Sequence, residues 1–163
     1  MYQKCDTGER LDSAKQYCLK LLGIRERTKL ELTTRLKEKK YAIDIIASAI
    51  RDLSATGLID DKKFAHSWIE RRLINNYGKN RIAFELKQKG IPEAIITQEL
   101  NNALSSYDES GAAAEESEKY KRLYRNLKPE VLQRRLYGHL IRKGFSSDIV
   151  QNIVNHYDDE RNS

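Results

Sequence analysis

The chain has 163 residues, two prolines, eight glycines and a formal net charge of +6. This length suits one ordinary domain or a few small ones in a row, and the few prolines and glycines favour long helices. No stretch approaches the roughly 18 apolar residues of a membrane span. The positive charge predicts an acidic partner, such as nucleic acid, an acidic protein surface or anionic lipid.

The first segment of the chain predicts a cytoplasmic protein. Residues 1–15 are polar and lack the apolar core that a signal peptide needs. Cys5 and Cys18 are too few for a disulfide framework, and Cys18 falls on an apolar helical face beside Leu21 and Leu22. We therefore expect both cysteines to be reduced thiols in the cytoplasm.

One helical pattern occurs three times along the chain. Residues 36–41, 86–91 and 140–145 each begin with leucine, carry lysine at the fourth position and end in an apolar residue. Apolar stripes with helical spacing precede and follow each stretch. The repeating unit is therefore three helices, with a period of about 50 residues, and each helix buries one stripe against the other two.

This repeat predicts an all-α protein made of three tandem three-helix repeats in an elongated, curved arrangement. The predicted repeats are residues 1–60, 61–104 and 118–163. Residues 105–117 are polar and acidic, so we expect a loop or hinge there, with a helix starting as early as Ala112 as the alternative.

We call the turn between the middle and third helix of each repeat a corner. The first corner is Lys39-Lys40-Tyr41, the second is Lys89-Gly90-Ile91 and the third is Lys143-Gly144-Phe145. The glycine in two of them suits the left-handed conformation that ends many helices, and the apolar residue after it is expected to fold back onto the helix.

Two adjacent aspartates, Asp60 and Asp61, follow Gly57, Leu58 and Ile59. One of the two is predicted to cap the next helix, because a carboxylate there meets free backbone N–H groups and the positive end of the helix dipole. Two carboxylates without a nearby His or Cys in the sequence do not make a metal site.

The basic residues concentrate on the middle helices and corners. Residues 28–41, 78–91 and 132–145 together contain thirteen basic and three acidic residues. If the repeats stack in similar orientations, these helices form a basic ridge that matches a repetitive acidic partner. The alternative is a solvated surface with cations near helix C-termini, where the dipole favours them.

Signals for catalysis are weak. The histidines His66, His139 and His156 are far apart, and His66 and Glu70, four residues apart, have no further ligand candidate near them in the sequence. The chain has no glycine-rich phosphate-binding loop. We therefore expect no enzyme, no catalytic residues, no metal site and no cofactor.

Four residues of the second repeat have two possible roles each. Trp68 is expected to pack in the core, with stacking on a nucleic-acid base as the alternative. Tyr77 either packs or contacts a partner. Arg71 and Arg72 lie near a helix C-terminus, where they match the dipole or contact an acidic partner.

Four stretches carry a resemblance to the RecX regulatory family: residues 25–36, 53–65, 77–91 and 143–145. The similarity covers most of residues 11–157, although the first corner has Lys40 where the family usually has glycine. The resemblance implies a bacterial cytoplasmic protein of tandem three-helix repeats that modulates the recombinase RecA. Such proteins are expected to bind in the groove of the RecA filament on DNA, limiting filament growth, strand exchange, ATP hydrolysis and co-protease activity.

The predicted partners are therefore the RecA filament and single- or double-stranded DNA, with no membrane, and the chain is expected to be a monomer. The alternative is a basic helical module that binds nucleic acid on its own. The candidate partner-binding residues are Lys39, Lys40, Arg71, Arg72, Tyr77, Lys79, Arg81, Lys87, Lys89, Arg142 and Lys143.

Overall fold

The structure, a computed structural model, describes residues 3–162 of the chain and the side chains of residues 7–156. Residues 3–162 form nine α-helices and no strand, so the all-α prediction is confirmed. The helices are α1 (Gln3–Leu22), α2 (Lys29–Glu38), α3 (Ile43–Ala55), α4 (Asp61–Ile74), α5 (Lys79–Gln88), α6 (Glu93–Leu104), α7 (Glu109–Leu123), α8 (Pro129–Lys143) and α9 (Ser147–Asn162). None of the described helices is long and apolar enough to cross a membrane.

The chain forms two compact units. The first contains Met1–Ala65 together with Lys87–Ile95, and the second contains His66–Leu86 together with Ile96–Ser163. The first unit therefore holds the first repeat, residues 61–65 of the second repeat and the segment around the second corner, and the second unit holds the third repeat with most of the second.

In the first unit, α1 and α2 both pack on α3. The predicted apolar stripes form its core, which consists of Ala14, Cys18, Leu32, Leu36, Ile45, Ile46, Ala49, Leu53 and Ile59. The thiol of Cys18 is free, and burial raises its pKa. The prediction for Cys5 falls on a side chain outside the described residues.

In the second unit, α7, α8 and α9 pack against one another. Their core contains Ala113, Leu136, Leu140, Phe145, Val150 and Val154. Phe145, the apolar residue of the third corner, is almost completely buried, as expected for a residue that folds back onto the helix before it.

The predicted acidic loop at residues 105–117 is wrong over most of its length. α7 begins at Glu109, and the alternative start at Ala112 is also too late. The Asp108 carboxylate caps this helix by accepting a hydrogen bond from the Gly111 backbone N–H at 2.8 Å. The side of α7 that carries Ala113 is buried, so tertiary packing stabilises a helix whose composition is typical of a loop.

Each aspartate of the 60–61 pair caps a different helix. Asp60 Oδ1 accepts hydrogen bonds from the backbone N–H groups of Lys62, at 2.9 Å, and Lys63, at 3.0 Å, which confirms the predicted cap of α4. Asp61, only 7% exposed, accepts a hydrogen bond from the backbone N–H of Lys29, the first residue of α2, at 3.0 Å. The pair therefore fixes the start of two helices in the first unit.

Candidate partner-binding surface

The second corner receives the N-terminus of α2 within the first unit. The Thr28 hydroxyl donates to the Lys89 carbonyl oxygen at 2.8 Å, and Lys89 Nζ lies 2.9 Å from Glu31 Oε1. Gly90 has a φ of +77°, and a Cβ added there would lie 2.6 Å from the Leu30 side chain. Glycine is therefore needed at this corner both for the left-handed backbone and for the close approach of α2.

Glu31 is the ionic partner that holds this corner in place. Burial raises the pKa of its carboxyl, but hydrogen bonds and charge attraction from Lys89 and Arg25 outweigh burial, and the pKa lies below its usual value. The carboxylate is thus ionised at neutral pH, and it offsets the charge of one predicted partner-binding lysine.

The third corner receives the N-terminus of α5 in the same way, within the second unit. The backbone N–H of Gly78 donates to the Lys143 carbonyl oxygen at 2.9 Å, and that of Asn80 donates to the Gly144 carbonyl oxygen at 3.1 Å. Gly144 has a φ of +94°, and a Cβ added there would overlap Arg81. The two glycine-containing corners are therefore docking points for the middle helix of the repeat before them.

The first corner differs because it belongs to the first repeat of the series. Lys40 takes the same left-handed conformation as the two corner glycines, with a φ of +62°. Its side chain is exposed, so its Cβ does not meet a docked helix. Only the backbone cost of a left-handed non-glycine residue remains, and this explains why the corner tolerates lysine.

Cations and aromatic rings alternate in one row of the second unit. The Arg72 guanidinium lies 4.7 Å from the centre of the Trp68 ring and 4.9 Å from that of Tyr77. Lys143 Nζ lies 4.5 Å from the centre of the Tyr77 ring, and the Arg71 guanidinium lies 5.5 Å from that of Trp68. Each of these distances is within the range of a cation–π interaction. We call these five residues the cation–aromatic row.

Glu85 orients two members of the cation–aromatic row, Trp68 and Arg72. Its Oε2 accepts hydrogen bonds from the indole N–H of Trp68, at 3.0 Å, and from Arg72 Nε, at 2.8 Å. Its Oε1 accepts a hydrogen bond from Arg81 Nε at 2.9 Å. A single carboxylate therefore orients one tryptophan and two arginines, which leaves this cluster with a net positive charge.

Glu116 contacts a third member of the row, Lys143. One of its carboxylate oxygens, Oε1, lies 2.8 Å from His139 Nε2 and 3.1 Å from Lys143 Nζ. Burial raises the pKa of the Glu116 carboxyl, but the hydrogen bonds and charges of His139 and Lys143 outweigh burial, so the pKa lies below its usual value.

Most of the eleven candidate residues thus contact other parts of their own unit. Arg72 and Arg81 bind Glu85, Lys79 lies 3.7 Å from Glu109, Lys87 lies 3.8 Å from Glu93, Lys89 binds Glu31, Lys143 binds Glu116, and Lys39 lies 5.6 Å from the Tyr17 ring centre. Lys40 and Arg142 are exposed, and neither takes part in the ion pairs found among the described residues. The partner-binding role of the whole set stays a prediction.

The structure shows a basic surface to which only one of the candidate residues, Arg142, belongs. Arg134, Arg135 and Arg142 are exposed on α8, together with the partly exposed ring of Tyr137. Arg135 and Arg142 are seven residues apart and therefore lie on the same side of the helix. We call the three arginines the α8 basic face. The sequence indicated this face through the helical spacing of its arginines.

In the structure, two carboxylates lie near His66, those of Glu70 and Glu99. His66 Nε2 lies 3.4 Å from Glu70 and its Nδ1 lies 3.4 Å from Glu99, a residue of α6 that is 5% exposed. The Glu99 carboxylate therefore lies near His66 in space, although it is distant from His66 and Glu70 in the sequence. Among the residues whose side chains are described, no group of three or more His, Cys, Asp or Glu residues is arranged to hold a metal ion.

Three family models match the chain one after another. The model of the first RecX three-helix domain matches residues 14–53, that of the second matches residues 60–100, and that of the third matches residues 108–154.

Individual relatives and solved structures match over similar lengths. A protein of Mycolicibacterium smegmatis named "Regulatory protein RecX" is 33% identical over 93% of this chain and 83% of its own length. Another of that name, from Mycobacterium avium, is 35% identical over 89% of this chain and 84% of its own length. A crystal structure of regulatory protein RecX matches with a TM-score of 0.81 and 27% identity, over 92% of this chain and 75% of that one. A crystal structure of RecX from Lactobacillus salivarius matches with a TM-score of 0.77 and 25% identity, over 93% and 98%. With three consecutive domain models matched and one third of the residues shared with these relatives, the chain belongs to the RecX family of regulatory proteins.

Proposed function

We propose that this protein regulates the RecA recombinase by binding the RecA filament on DNA without catalysing a reaction. Binding would limit filament growth, and with it strand exchange, ATP hydrolysis and co-protease activity. The observation that carries the proposal is the similarity to proteins named "Regulatory protein RecX", which extends over 93% of the chain. Because RecA filaments form on DNA in the cytoplasm, the proposal includes a cytoplasmic location.

The exposed cations are the part of the surface best suited to this contact. Lys40 in the first unit and the α8 basic face in the second carry exposed charge that no ion pair among the described residues offsets. Exposed charges of this kind increase association rates with an acidic partner and make binding depend on salt. Reversing them is expected to weaken binding while the fold stays intact.

The experiment adds the purified chain to RecA filaments on single-stranded DNA and measures ATP hydrolysis and strand exchange. We expect both to fall. The double variant Arg134→Glu with Arg142→Glu is expected to inhibit less, and the difference should grow at low salt. The matched control is Arg122→Glu with Arg125→Glu, which makes the same change of charge at exposed positions outside α8.

Two results would contradict different parts of the proposal. If the wild-type chain leaves RecA unchanged at severalfold excess over filament ends, the proposed function is wrong. If both double variants lose inhibition equally, net charge matters rather than the α8 basic face.

The α8 basic face also favours a second candidate, a module that binds nucleic acid without RecA. Helices with exposed arginines on one side bind phosphate backbones with a steep dependence on salt. Binding of the chain to naked duplex DNA at several salt concentrations separates the two. Tight binding without RecA favours the module, and weak binding beside strong association with RecA filaments favours the regulator.

A further inference from the structure

The exposed side of α4 contains a small groove. Trp68, Arg71, Arg72 and Asn75 line it, and its volume is about 270 Å³. These residues have the three- and four-residue spacing of one helical face, and all lie in the second unit. Pockets for drug-sized ligands are typically about 300–1,000 Å³, so this groove suits a single planar ring system.

The inner part of the groove is held rigidly before any ligand binds. The indole N–H of Trp68 and Nε of Arg72 both donate to Glu85 Oε2. The Arg72 guanidinium is further fixed beside the Tyr77 ring, at 4.9 Å from its centre. A flat ligand would therefore meet an indole and a guanidinium that are already oriented. Binding would then cost little side-chain entropy.

The outer part of the groove carries adaptable polar groups. Arg71 and Asn75 are both exposed. Arg71 Nε donates to the Ser67 carbonyl oxygen at 3.2 Å, and Asn75 Nδ2 donates to the Arg71 carbonyl oxygen at 2.7 Å. The guanidinium of Arg71 is farther from the indole centre than that of Arg72, at 5.5 Å against 4.7 Å. A ring that enters the groove would therefore displace Arg71 more easily than Arg72.

We propose that this groove is a stacking subsite for one base of single-stranded nucleic acid. The base lies against the Trp68 indole, the displaced Arg71 guanidinium binds the neighbouring phosphate, and the Asn75 amide reaches the edge of the base. Aromatic rings beside arginines are the usual means of binding single strands without sequence preference. The charge is complementary, because the single carboxylate of Glu85 pairs with both Arg72 and Arg81, and Arg71 adds a further positive charge beside the Trp68 ring. This subsite is separate from the proposed regulation of RecA, and unlike the α8 basic face of the second candidate it would bind a base as well as a phosphate.

The test uses the natural fluorescence of the chain, because Trp68 is the one tryptophan in the sequence. The full chain is titrated with oligothymidylate of about 16 nucleotides, the upper end of the site sizes that OB-fold domains occupy on single strands. We expect Trp68 emission to be quenched as the anisotropy of a labelled oligonucleotide rises. An abasic oligonucleotide of the same length is expected to bind more weakly and to leave the emission unchanged.

Two variants and a matched control separate stacking from general charge. Trp68→Leu is expected to weaken binding of oligothymidylate about tenfold, which corresponds to the loss of one stacked base. Arg71→Ala keeps the fluorophore, and we expect severalfold weaker binding with less quenching. Arg122→Ala removes an exposed arginine elsewhere in the second unit and is expected to change neither quantity. Circular dichroism checks that each variant stays helical.

Three results would overturn the subsite. The first is binding of oligothymidylate without any change of Trp68 emission. The second is equal quenching by the abasic strand. The third is a change of emission that requires RecA and not DNA, which would make the groove a protein contact. Since the titration contains no RecA unless it is added, failure of the subsite and failure of RecA inhibition remain separate outcomes.

Discussion

Replacing Gly144 by alanine tests whether the third corner is held by close backbone contact with α5. Gly144 combines a φ of +94° with a Cβ position that would overlap the backbone and Cβ of Arg81. Gly57 provides the matched control, since it has a similar φ of +73° but no atom within 4 Å of an added Cβ. The two substitutions therefore share the backbone cost and differ in the steric one.

The expected magnitudes follow from these two terms. A residue other than glycine in the left-handed conformation destabilises the folded state by about 1–2 kcal/mol. Alanine also lowers the entropy of the unfolded chain, which offsets part of this loss, so Gly57→Ala should lower the free energy of unfolding by about 1 kcal/mol. Overpacking against backbone adds about 1–3 kcal/mol, because neither Arg81 nor the corner can move aside freely. Gly144→Ala should therefore lower the free energy of unfolding by about 2–4 kcal/mol.

The measurement is denaturant unfolding followed by Trp68 emission and by helicity. We expect the transition of Gly144→Ala to fall clearly below that of Gly57→Ala. Gly78→Ala is a third arm: its φ is not in the left-handed region, but its Cβ would overlap the Gly144 carbonyl group, so only the steric cost applies. If Gly144→Ala and Gly57→Ala lose equal stability, the docking of α5 on the third corner is not close, and the reasoning fails.

Three further predictions concern caps, pH and the first corner. Asp60→Ala should lower the free energy of unfolding by about 0.5–2 kcal/mol in thermal melts, whereas Asp60→Asn, which keeps an acceptor, should lose less. Glu31 and Glu116 have pKa values below their usual range, so the stability they contribute is complete above the ordinary glutamate pKa of about 4.3 and is lost as pH falls below it. The free energy of unfolding, measured between neutral and acidic pH, should therefore decrease as the pH falls. Glu116→Gln should make this decrease smaller. Lys40→Gly should leave the melting temperature equal or slightly higher, because relief of the left-handed backbone offsets the added entropy of the unfolded chain; a clear decrease would contradict the proposed reason for lysine at this corner.

The sequence by itself determined most of the helices and the order of the repeats. Apolar residues with helical spacing, such as Leu32 with Leu36 and Leu136 with Leu140, became the buried stripes of their units. This works because the period of a helix is a local property that the chain carries in the spacing of its residues. The cap at Asp60 was predictable for the same reason, since its hydrogen bonds reach only two and three residues ahead.

Tertiary structure decided the start of α7 and the roles of the basic residues. The composition of residues 109–117 predicts a loop, but packing against α8 and α9 stabilises a helix there. Lys89 reads as a partner-binding cation, but its ion pair with Glu31 joins residues 58 apart in the chain. Likewise, Glu85 orients Trp68 and Arg72 across 17 and 13 residues, and it thereby shapes the groove on α4. Spacing within one helix contains no information about which distant helix supplies the opposite charge, so these partners and the sites they form appeared only when the helices were packed.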